Sequence, residues 1–131
     1  MTKLFLTTTL LAGVLQCYLS YALLTDPEAM IASFGLPTDA SVAFVARRAG
    51  AMFLGLAALS FAAAFLYRNQ KIAALALAMP WLCLALLGSY EHMRGAVGAE
   101  IYPALVIETT FAVLFLLIGL FLRDHTTAKA T

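Results

Sequence analysis

Four long apolar runs decide what this chain can fold into. They cover about residues 4–24, 41–67, 72–90 and 104–122. Each is near the ~20 residues that an α-helix needs to cross a hydrocarbon core. A soluble core could not absorb them. The chain has 131 residues, 63% hydrophobic and 11% charged, whereas a soluble domain averages roughly 45–50% and 25%. A domain of this size hides only about two-thirds of its unfolded surface, so much of the apolar surface must face lipid. The expected fold is all-α: an integral membrane four-helix bundle, a single transmembrane domain over 1–131.

The connections carry their own signals. Between the first and second spans, Asp26 is a good N-cap, Pro27 fits the first helical position, and Glu28 complements the positive helix end. Gly35 reads as the stop, and Met30, Ile31 and Phe34 share one face. This predicts a short amphipathic helix on the membrane surface. Arg68-Asn69-Gln70-Lys71 is a tight polar link, which predicts an antiparallel hairpin of the second and third spans. Pro80 lies near the middle of the third span and should free a backbone carbonyl. Glu91 to Tyr102 reads as a loop, Pro103 opens the fourth span, and the polar tail Arg123 to Thr131 should fray. The first run is too long for the apolar stretch of a signal peptide. A lipoprotein reading fails at Gln16, where a small residue would be required before Cys17.

Basic residues set the orientation. Lys3, Arg68, Lys71, Arg123 and Lys129 fall on one side, against Arg47, Arg48 and Arg94 on the other. Both termini are therefore expected in the cytoplasm. The net charge of +1 and the lack of a basic patch with interleaved aromatics give no reason to expect a nucleic-acid partner. Cys17 and Cys83 lie inside apolar runs without His or Cys at ligand spacing, so neither a metal nor a redox cofactor is expected.

Charges inside a membrane are expensive and tend to be paired or functional. Arg47 lies roughly 9 Å into the second span and Glu108 roughly 7–8 Å into the fourth, at ~1.5 Å per residue. The similar depth predicts an ion pair, either a structural lock or part of a site. Arg47, Ala51, Gly55, Ala58 and Ala62 form a stripe of small residues that predicts a packing face, leaving Arg48 to snorkel outward. Ala104, Glu108, Ala112, Phe115 and Gly119 form a second stripe. Thr9, Gly13, Gln16 and Ser20 form a third. Trp81, Ala85, Gly88 and, if the helix continues, His92 form a fourth. The Trp81 indole N–H needs an acceptor, and the carbonyl freed by Pro80 is the expected one. Most buried polar groups thus gather in the half of the bundle away from the termini.

Asp26-Pro27-Glu28, Phe34-Gly35-Leu36-Pro37 and Arg47-Arg48-Ala49-Gly50 followed by Gly55 resemble a family of small bacterial four-helix membrane proteins of unknown function. The layout is similar to the broad DoxX-like group. The resemblance implies a multi-pass bundle in the bacterial inner (cell) membrane and no particular activity.

Three functions fit these residues. The first is binding of a hydrophobic or amphipathic small molecule or lipid in the outer half, with Arg47, Glu108, Trp81, His92 and Gln16 as candidate contacts. The second is a membrane enzyme of isomerase or cyclase type using Glu108 with His92 or Glu91 as acid and base. The third is an accessory subunit of a larger membrane complex, or a homo-oligomer, joined through the small-residue stripes. A small multidrug exporter is disfavoured, because the first span holds no acid.

Overall fold

The structure is a computed structural model describing residues 2–66 and 69–121. Among these are five α-helices: α1 (Thr2–Thr25), α2 (Pro27–Ala32), α3 (Ala40–Leu66), α4 (Gln70–Met93) and α5 (Tyr102–Phe121), with a 3-10 turn over Ala99–Ile101. The described residues include no strand. Four helices, all but α2, are long and apolar enough to cross a membrane. The chain is an all-α, four-helix, multi-pass bundle. The ends expected for the second and fourth spans, the Arg68 part of the polar link and the tail from Arg123 lie outside the described residues.

Capping fixes the connections. The Asp26 carboxylate accepts the Ala29 N–H at 3.1 Å, and Pro27 opens α2. Gly35 then takes φ +70°, the left-handed conformation that glycine adopts without a Cβ clash. Asp39 accepts the Val42 N–H at 2.8 Å and so caps α3. Asn69 accepts the Ile72 N–H at 3.2 Å at the start of α4. Helix α4 runs on to Met93 and takes in His92. Gly95 (φ +73°) follows.

The four long helices pack as two intimate pairs, α1 with α3 and α4 with α5. The pairs touch each other sparsely, and α3 and α4 barely meet although they are consecutive. The expected hairpin of the second and third spans is therefore not a packing unit. Small residues explain the true partners. A Cβ on Gly50 would lie 3.0 Å from Leu23 Cβ and 3.2 Å from the Ser20 carbonyl oxygen, so α3 and α1 approach closely there. The same pair is tied by Ser60 Oγ donating to Gln16 Oε1 at 2.9 Å, both residues buried. In the other pair, Leu105 fills the space over Gly88 and Leu75 the space over Gly119. Trp81 stacks on Phe111 with ring centroids 4.7 Å apart, and Phe115 lies 6.4 Å beyond.

The predicted phases hold on three helices. Thr9, Gly13, Gln16 and Ser20 are all buried, as are Ala112, Phe115 and Gly119 on α5 and Trp81 and Ala85 on α4. Helix α3 is rotated from its predicted phase. Its buried face is Ala43, Ala46, Gly50, Ala57, Ser60 and Ala63, whereas Arg47, Ala51, Gly55 and Ala58 are exposed. The two stripes differ by one residue, about 100° of helix. Burying the Ala46 stripe engages Ser60 with Gln16. Burying the other would have desolvated a guanidinium, which costs several kcal/mol without a partner.

Candidate functional site

A cavity of about 390 Å³ lies where the two helix pairs part, toward the α2 end of the bundle. Leu15, Tyr18, Leu19 and Leu23 of α1 and Phe53 of α3 form one wall. Trp81 and Leu84 of α4 with Ala104, Ile107 and Glu108 of α5 form the other. Met30 of α2 and Ser33 and Phe34 of the turn after it roof it, and Glu100 and Pro103 complete the rim. The roof follows from local sequence: Met30 and Phe34 share a face, and the Asp26 cap and Gly35 turn hold that face down.

Two polar groups stand out in this apolar chamber. Trp81 is 2% exposed, and its indole nitrogen is buried with no hydrogen-bond partner. The acceptor expected from Pro80 is missing for a geometric reason. Proline at position 80 frees the carbonyl of residue 76, which lies five residues before Trp81 and so about 140° around the helix; Ala76 is exposed, on the opposite side from the buried Trp81. The second group is Glu108, half-buried, six residues into α5 and so ~9 Å along it. Among the described residues it makes no ion pair or hydrogen bond. A second, smaller cavity of about 240 Å³ adjoins the first, and Glu108, Phe34, Leu84 and Ala104 line both. Glu91 and Gly88 line the smaller one.

The structure thus brings Trp81 and Glu108 together, sets Glu91 with Glu108 on the smaller cavity, and separates Arg47, Gln16 and His92 from them. Arg47 is exposed and forms no ion pair with Glu108, because α3 packs on α1 and turns Arg47 outward. Gln16 is committed to Ser60 in the α1–α3 seam and does not line the cavity. His92 is fixed where α4 ends and α5 begins. Its Nδ1–H donates to the Val97 carbonyl at 3.1 Å, and in that neutral tautomer Nε2 accepts from the Tyr102 hydroxyl at 2.8 Å. Glu91 pairs loosely with Arg94 at 3.8 Å. The α1 wall residues Tyr18 and Leu19 and the α3 residue Phe53 are not visible as site residues in the sequence, since they are ordinary apolar positions whose role depends on where the pairs separate. No group of acids, histidines and cysteines that could hold a metal occurs among the described residues. No family model matches the chain, and neither does any curated protein or solved structure.

Proposed function

We propose that the protein binds a hydrophobic or amphipathic small molecule or lipid in the cavity beneath α2. The observation that carries this reading is an apolar chamber, walled by Trp81, Leu19 and Leu84, that holds one carboxyl group, Glu108, without a donor. Buried polar groups in native proteins are nearly always satisfied. Small-molecule sites are apolar cavities of roughly 300–1,000 Å³ with a few convergent polar groups. The ligand class that fits carries a hydroxyl or amine to donate to Glu108 and an apolar body to lie along Trp81, Leu19 and Leu84.

Thermal unfolding of the full chain in detergent, with sterols, quinols, long-chain amines and fatty acids added one at a time, tests this. A ligand is expected to raise Tm in the native chain, Glu108→Gln is expected to weaken it by about tenfold, the value of one hydrogen bond to a charged group, and Trp81→Phe is expected to weaken it by less, through lost ring contact. Arg47→Ala should leave the response intact. Responses indifferent to both cavity substitutions would remove the site.

The shared lining of the smaller cavity by Glu91 and Glu108 favours a second reading, proton transfer on a bound substrate in an isomerase- or cyclase-type reaction. His92 is the weaker partner, since both ring nitrogens are occupied. A ligand recovered unchanged in mass and without deuterium from D2O would rule this out. The bacterial inner membrane, both termini in the cytoplasm and kinship with the DoxX-like group complete the proposal. Reporter fusions at each terminus test the orientation, which rests on the five basic residues of the terminal side against three opposite.

A further inference from the structure

We infer that Arg47 and Arg48 form a site for the phosphate of an anionic phospholipid, on the lipid-facing side of α3 and apart from the cavity. Register places them at headgroup level. Gly50 sits against Leu23, Leu24 and the Ser20 carbonyl, so it is level with the last turn of α1. Arg47, about 4.5 Å further along α3, is level with Thr25 and Asp26, where α1 ends and the chain turns into the surface helix α2. Length agrees. The 27 residues of α3 span ~40 Å, some 10 Å more than the hydrocarbon core, which is the length needed for the Arg47 turn to stand at headgroup level.

Both side chains are exposed, and neither meets an acid among the described residues. The contact they do make is Arg48 over the Phe44 ring, guanidinium to centroid 5.8 Å, which orients that fork along the helix. Two guanidinium groups about 100° apart bracket one sector of the helix, and guanidinium forks match phosphate oxygens in geometry and charge. Below them the surface is low. Ala51 is exposed and a Cβ on Gly55 would meet nothing within 4 Å, leaving room for an acyl chain against the helix. The rest of this end is acidic, with Asp26, Glu28, Asp39, Glu91 and Glu100 against Arg94. General surface attraction for anionic lipid is therefore absent, and binding should be confined to this sector.

Native mass spectrometry of the full chain in detergent, with phosphatidylglycerol or phosphatidylcholine added at equal concentration, tests the site. One retained phosphatidylglycerol is expected in preference to phosphatidylcholine. The Arg47→Gln/Arg48→Gln double variant should lower that preference by about 25-fold, from the attraction of roughly fivefold expected per arginine. Arg47→Lys/Arg48→Lys should keep part of it, and Glu108→Gln should keep all of it. Unchanged helical circular dichroism of the glutamine variant confirms that the loss is local. Equal retention of the two lipids, a preference that survives the glutamine variant, displacement by inorganic phosphate, or a second protein chain bound through these arginines would each overturn the inference.

Discussion

The α1–α3 and α4–α5 pairs solve the same problem by different means. Lipid offers no hydrophobic drive for helices to associate, so contact must come from close packing and polar links. The α1–α3 seam brings backbones together over Gly50 and adds a Gln16–Ser60 hydrogen bond. The α4–α5 seam is built from large groups, with Leu75 and Leu105 set over Gly119 and Gly88 and aromatic rings stacked from Trp81 to Phe115. One buried core joins the pairs away from α2, drawn from Phe5, Ala12 and Ala63 of the first and Leu77, Phe115 and Ile118 of the second. Neither offers the other a matching surface at the α2 end, and the cavity is the remainder.

Overfilling one seam gives the largest expected effect. A Cβ on Gly119 would lie 2.6 Å from Leu75, and overpacking costs about 1–3 kcal/mol; Gly119→Leu is expected near the upper end. Gly55→Leu, in open space, should change unfolding in detergent by less than about 0.5 kcal/mol. If the two behave alike, the α4–α5 seam is wrongly drawn. Ser60→Ala comes next. It should cost about 1 kcal/mol, the scale of a hydrogen bond between membrane helices, and leave cavity ligands unaffected. A loss of ligand response would show that the α1–α3 seam and the cavity are coupled. The smallest effect belongs to the fully exposed cap of α3. The Ser41 hydroxyl, first, and the Val42 N–H hold the Asp39 carboxyl below its usual range. Its stabilising contribution is therefore complete above the ordinary carboxyl range and lost as pH falls through the lowered value. Amide exchange at Val42 should accelerate in that acid window, and Asp39→Asn should abolish the pH dependence.

Phase was legible in the sequence where a helix has one small or polar stripe. In α1 and α5 bulky residues flank the stripe and leave one way to pack, and in α4 Trp81 marks the buried face. In α3 the alanines at 43, 46, 51, 57, 58, 62 and 63 offer more than one, and the choice goes with Ser60 bonded to Gln16 and the arginines left exposed. That misphasing also carried away the expected Arg47–Glu108 pair, since similar depth on two helices does not place them side by side. The α2 roof was legible because caps and turns are local. The cavity walls were not, because they depend on which helices pair, and the short link after α3 suggested the wrong partner.

Pairing between first and third, then fourth and fifth, helices also sets a sequence of assembly during synthesis. By the time residue 66 has left the translocon, both halves of the first seam are in the bilayer and can lock, since stable spans form before they associate. The second seam needs residues 70–121 and closes last. Glu108, on the final helix, is delivered to a preformed wall of α1 and α3 already roofed by α2. A ribosome stalled before α5 would therefore hold the α1–α3 pair beside an unpaired α4, with no α5 wall to close the cavity.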